Sequence, residues 1–159
     1  MNPAEEKVLS DVQDYGWHVV KVLEEGDSPE FAYSIGLFRS FQHPEIFIYG
    51  LPSERAHLII NEAGEHIRSG RRFFAGQTSD ELLEGYSVMF RAIPPSQYRE
   101  HLGWASWFYD YADFPALQLV YPDRDGRWPW QSGTSEGFRR VQLVLADVPS
   151  DPLEGGGAA

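Results

Sequence analysis

Apolar and polar residues alternate along this chain with two different periods, and the places where one gives way to the other mark its elements. Residues 17–23 (WHVVKVL), 31–37 (FAYSIGL), 46–51 (IFIYGL), 86–93 (YSVMFRAI) and 114–121 (FPALQLVY) are short apolar runs bounded by turn formers. Their aromatic and β-branched content predicts strands. The connection from Glu25 to Glu30, EGDSPE, is too short for a crossover helix, so the first two strands pair antiparallel. The apolar period then lengthens. Ala56, Ile59, Ile60, Ala63 and Ile67 recur at helical spacing after Pro52-Ser53-Glu54, which predicts a helix ending at Gly70 with that stripe on the sheet. Asn2-Pro3-Ala4-Glu5 reads as the capped start of an earlier helix that ends near Gly16. Thr78-Ser79-Asp80-Glu81 has the capping-box spacing and predicts a short helix through Leu82 and Leu83, closed by Gly85. Residues 96–110 form a further expected helix, and residues 141–145 a last edge strand.

Strands close in sequence with helices inserted between them predict a single α+β domain. Its sheet is expected to be mixed or mainly antiparallel, flat or curled into a partial (split) barrel, with two to four helices. The domain is expected over residues 1–150, followed by a flexible Gly/Ala-rich tail at 151–159. Hydrophobic residues at 42% and aromatics at 14% supply enough apolar area for one core, so the chain is not of the disordered class.

Charge and composition narrow the functional classes. A formal charge of −11, with Lys7 and Lys21 the only lysines, repels phosphate backbones and argues against nucleic acid as a partner. No cysteine is present, which excludes a disulfide scaffold, a thiolate metal site and a cysteine nucleophile. No run approaches the roughly 18 apolar residues of a membrane span, and residues 2–14 are charged throughout, so no membrane association and a cytoplasmic location are expected.

Candidate chemistry concentrates in the connection 38–45, FRSFQHPE, between two predicted buried strands. There a guanidinium (Arg39), a hydroxyl (Ser40) and an imidazole (His43) could together hold a phosphate or carboxylate; otherwise Arg39 caps carbonyls and His43 packs before Pro44. Residues 123–130, DRDGRWPW, are either a rigid charged turn or a wall for a planar ligand built from Arg127, Trp128 and Trp130. Gly133-Thr134-Ser135-Glu136-Gly137 matches the nucleophile-elbow pattern, but no strand precedes it and no histidine follows His101, so it reads as a loop. His57, His66 and His101 with Glu62 and Glu65 lack zinc-enzyme spacing, and no metal site is expected.

Two blocks, YSIGLFRSFQHPEIFIYGLP at 33–52 and LQLVYPDRDGRWPW at 117–130, resemble an uncharacterised bacterial family of domains of unknown function, the DUF4262 type. A weaker similarity is to flavin-reductase-like split barrels, and it implies a flavin phosphate near Ser34, Arg39 and Ser40. Two functions follow as expectations. One is binding of a small molecule, a flavin or another phosphorylated aromatic ligand, at residues 38–45 with the 127–130 segment as the opposite wall. The other is a non-enzymatic interaction module of accessory or immunity type, whose acidic surface meets a basic protein partner. Neither reading assigns a reaction or catalytic residues.

Overall fold

The computed structural model describes residues 1–146, so the expected tail at 151–159 and the last four residues of the expected domain lie outside it. In chain order the elements are α1 (Pro3–Tyr15), β1 (His18–Val22), β2 (Phe31–Ile35), α2 (Leu37–Phe41), β3 (Glu45–Tyr49), α3 (Ser53–Arg68), β4 (Thr78–Leu83), β5 (Tyr86–Ala92), α4 (Tyr98–His101), α5 (Gly103–Phe108), β6 (Ala116–Val120) and α6 (Glu136–Val141). The six strands form one open mixed sheet in the order β1-β2-β3-β6-β5-β4. Every neighbouring pair is antiparallel except β3 and β6, which run parallel at the centre with Glu45 opposite Ala116. The sheet does not close into a barrel, because its edges β1 and β4 do not pair.

Both faces are covered, as the unbroken apolar runs of β2, β3 and β6 require, since all five residues of each are buried. α3 lays Ile59, Ile60, Ala63 and Ile67 on one face against Ala32, Ile46, Ile48 and Leu119. Each such isoleucine contributes about 1.5–3 kcal/mol of apolar burial. Trp17 lies flat over Gly64 of this helix, so close that a Cβ there would stand 2.4 Å from the indole. On the other face, Val8 and Val12 of α1 and Leu102 and Ala105 around α5 cover Tyr33, Ile35 and Phe47. α1 starts as its sequence predicts, with the Asn2 side chain accepting from the Glu5 N–H and the Glu5 carboxylate accepting from the Asn2 N–H.

Four expectations are corrected. Residues 78–83 form a strand rather than a helix, because the Glu84-Gly85 turn folds them back on β5. The Ser79 hydroxyl still accepts a backbone N–H, that of Glu81, but at an irregularity in the strand rather than at a helix start. The connection 38–45 is not a loop throughout, since residues 37–41 form α2. The helix expected over 96–110 breaks at the buried Leu102 into α4 and α5, which with α2 and α6 brings the α-helices to six among the described residues. No strand forms at 141–145. Both edges of β6 are taken by β3 and β5, and the chain instead crosses its face, held by side-chain amides: Gln118 pairs with Leu143 and Leu145, and Gln142 pairs with the Tyr121 backbone.

Candidate functional site

The parallel pair β3 and β6 gives the molecule two polar ends. At the amino end of β3 stands Glu45, fully buried, and every group around its carboxylate is a donor. Oε1 accepts from the Ser34 hydroxyl at 2.7 Å and the Leu37 N–H at 3.2 Å. Oε2 accepts from the N–H groups of Gly36 at 3.0 Å and Phe38 at 3.2 Å, and from the Tyr109 hydroxyl. Glu45 thus caps α2 from outside that helix, satisfying N–H groups that a five-residue helix leaves open. Gly36 makes the approach possible: its φ is +115° and a Cβ would meet the Gly16 carbonyl at 2.8 Å. Burial pushes the Glu45 carboxyl above its ordinary value, and the donors from Tyr109, Ser34 and the backbone oppose that push. Burial and the neighbouring Glu45 charge drive the Tyr109 hydroxyl strongly upward, so it stays protonated and donates.

The residues predicted from the connection 38–45 are built into this corner. Ser34 is buried, donating to Glu45 and accepting from the Ile46 N–H at 2.9 Å. Ser40 donates to the Gly16 carbonyl at 2.8 Å. His43 is completely buried. Its Nε2 accepts from the Phe73 N–H at 2.9 Å and its Nδ1 sits 2.8 Å from the Pro44 carbonyl, so the ring is the neutral Nδ1–H tautomer, and burial lowers its pKa. Arg39 alone is exposed, its guanidinium lying over the Phe108 ring at 5.8 Å.

At the opposite end, β3 leaves the sheet through Gly50 and Leu51, and β6 through Tyr121 and Pro122. Between these exits, the β4–β5 hairpin and α6, a cleft of about 660 Å³ opens. Leu51, Leu83, Tyr86, Tyr121 and Phe138 supply its apolar lining; Arg55, Asp123, Arg124, Asp125 and Arg127 its charges. Arg127 is committed within its own turn, with Nη2 donating to Asp125 at 2.9 Å and Nε 3.5 Å from Asp123. The Arg127 N–H, 2.8 Å from Asp123 Oδ1, is the main influence holding that carboxyl below its ordinary value. Arg55 and Arg124 form neither hydrogen bond nor ion pair among the described residues. Tyr121 exposes only 9% of its surface, and burial raises its pKa to about 12, yet its hydroxyl has no hydrogen-bond partner there either. It lies over Gly50 (φ +87°), where a Cβ would stand 2.8 Å from the hydroxyl and 2.5 Å from the Val141 carbonyl.

The structure therefore does not bring the two predicted walls together. Residues 38–45 and 127–130 sit at opposite ends of parallel strands. Of the residues named from the sequence, Ser34, Arg39, Ser40, His43, Trp128 and Trp130 are not in the cleft lining, and Arg127 is. Trp128 and Trp130 stack on each other at 5.8 Å. Ser135, from the elbow-like motif, accepts the Phe138 N–H as the cap of α6. Arg55, Tyr86 and Tyr121 carried no local signal of a site, because a helix face and two strand ends converge only in the fold. Among the described residues no three His, Asp or Glu are placed to hold a metal, and no helix is long and apolar enough to cross a membrane.

Fold and sites together define an α+β domain with a saturated polar corner at one end of β3 and an open cleft at the other. The chain belongs to a family described as a domain of unknown function (DUF4262), whose model matches residues 11–135. That span includes the Glu45 corner and the cleft as far as Ser135, with Phe138 beyond it. No curated protein and no solved structure matches the chain, so the similarity to flavin-reductase-like split barrels gains no support.

Proposed function

We propose that this chain is a small-molecule-binding domain and that its ligand occupies the cleft beyond the ends of β3 and β6 rather than residues 38–45. The observation that carries this reading is Tyr121. Its ring is buried in the cleft wall, and its hydroxyl, open to the cleft and without a hydrogen-bond partner among the described residues, is a donor presented to whatever enters. A ligand atom accepting from it would take the place of solvent there. The volume, about 660 Å³, suits a ligand of flavin or nucleotide size, and Tyr86 and Phe138 offer aromatic surface for a planar body. The position also fits, since chain ends diverging from neighbouring parallel strands leave a crevice at their carboxyl ends. The reading assigns binding and no reaction.

The test is backbone amide NMR of the labelled protein titrated with flavin mononucleotide, together with the absorbance of the purified protein in the flavin bands. Shifts clustering on Leu51, Tyr86, Tyr121 and Phe138 support the cleft. Shifts confined to Arg39, Ser40 and neighbouring residues return the site to the 38–45 connection and overturn this reading. A silent cleft in a protein that captures a basic protein at low salt replaces it with the interaction module that the charge of −11 suggests.

A further inference from the structure

We infer that the ligand of this cleft is an oxyanion-bearing aromatic molecule, its acidic group held by Arg55 and Arg124 and a second polar atom accepting from the Tyr121 hydroxyl. This rests on the cleft being the binding site. At −11 the molecule repels anions at long range, so a site for one needs a local excess of positive charge. The cleft has that excess. Arg55, Arg124 and Arg127 line it against Asp123 and Asp125, and those two carboxylates are already engaged by Arg127. What remains is two guanidiniums with no partner among the described residues.

Their placement makes the excess unusual. Arg55 sits in the first turn of α3, where the helix dipole disfavours a cation, and the Glu30 carboxylate already holds that helix start, accepting from the Ser53 N–H and hydroxyl at 3.0 Å each. An anion at this mouth would therefore meet Arg55 and Arg124 rather than the helix end. An exposed arginine alone is ordinarily just solvated. Here a second, independent feature faces the same space: the Tyr121 side chain, 9% exposed, whose hydroxyl is protonated because its pKa lies near 12 and has no hydrogen-bond partner among the described residues. A neutral phenol in that position is a donor in search of an acceptor, and a fork-shaped guanidinium is suited to phosphate or carboxylate oxygens. The floor and the mouth of the cleft therefore both call for acceptor oxygens, with the aromatic lining between them.

Three probes sharing one ring system separate the ideas: naphthyl phosphate, naphthoate and neutral naphthol, titrated by calorimetry and mapped by amide NMR. The proteins are the parent chain, Arg55→Gln and Arg124→Gln. Naphthyl phosphate or naphthoate is expected to bind about tenfold or more tightly than naphthol, with an affinity that falls as salt rises. Each arginine variant is expected to lose about tenfold for the anion and almost nothing for naphthol. The relative strength of phosphate and naphthoate then tells which oxyanion the pair prefers, and tight binding of either supports the inference. Naphthol binding the cleft as tightly as both anions, or variants that hold the anion as well as the parent does, overturns it while leaving the cleft as a site. Absence of any shift at Tyr121 and Phe138 with all three probes overturns the underlying reading instead.

Discussion

The two ends of the β3–β6 pair are made of similar groups in opposite states. At the Glu45 end a carboxylate, two hydroxyls, an imidazole and several backbone N–H groups are buried with their hydrogen bonds made. At the cleft end the Tyr121 hydroxyl, open to the cleft, and the exposed guanidiniums of Arg55 and Arg124 have none among the described residues. Polar groups that satisfy one another stabilise a corner; polar groups left open are available to a ligand. Of the groups that made 38–45 attractive in the sequence, Ser40 and His43 are held in structural hydrogen bonds and Arg39 is left exposed, and the site we propose lies at the other end of the same strand.

The sharpest way to break this comparison is at Glu45. Replacing it with Gln keeps the shape but turns an NH₂ toward N–H and O–H donors, so at least one of Ser34, Gly36, Leu37, Phe38 and Tyr109 loses its acceptor. Breaking a buried charged network in this way costs about 3–5 kcal/mol, to be measured by chemical denaturation. A loss below about 0.5 kcal/mol, the usual range for surface changes, would show that the corner is not what holds α2 in place.

His43 gives a smaller effect with a pH signature. Removing the imidazole by His43→Ala strips the Phe73 N–H and the Pro44 carbonyl of their partner, at about 1–3 kcal/mol. Because burial lowers its folded-state pKa, the unfolded chain binds the proton more readily. The contribution of the ring is therefore present above the ordinary value near 6.5 and lost as pH falls below it. Glu45, raised by burial, has the opposite sign, its contribution being lost as pH rises through its folded value, so the comparison must be made between parent and variant. The gap in unfolding free energy between them is expected to narrow as pH is lowered through about 6.5. A gap that widens would mean that His43 is protonated in the fold.

Much of this architecture is legible in the sequence wherever a local pattern and the tertiary demand agree. The strands at 31–35 and 45–49 announce themselves because they are buried on both faces, and α3 because its apolar stripe must face one sheet. β4 is hidden because its Thr78–Glu81 stretch carries a helix-start signal that pairing with β5 overrides. α2 is hidden because its amino end is capped by Glu45, four residues beyond its last residue, rather than from the preceding side. The cleft is hidden for a deeper reason. Arg55, Tyr86, Tyr121 and Arg124 come from four separate elements or turns, and an unmet hydrogen bond is a property of the fold that no spacing displays.

The finest test exchanges a single oxygen atom at each end. Ser34→Ala and Tyr121→Phe each delete one hydroxyl from a largely buried residue and leave the rest of the side chain nearly unchanged. Ser34 donates to Glu45 and accepts from the Ile46 N–H, so its loss leaves that buried N–H unpaired, takes one of five donors from Glu45, and is expected to cost about 1–3 kcal/mol. The Tyr121 hydroxyl makes no such bond and is open to the cleft, so Tyr121→Phe is expected to leave the unfolding free energy within about 0.5 kcal/mol of the parent. Its cost should appear only on ligand binding, as a loss of affinity for whichever probe occupies the cleft. Paired thermal and denaturant unfolding of the two variants decides the matter. If Tyr121→Phe destabilises the free protein as much as Ser34→Ala does, its hydroxyl is a structural group like those around Glu45, and the contrast between the two ends of the sheet disappears.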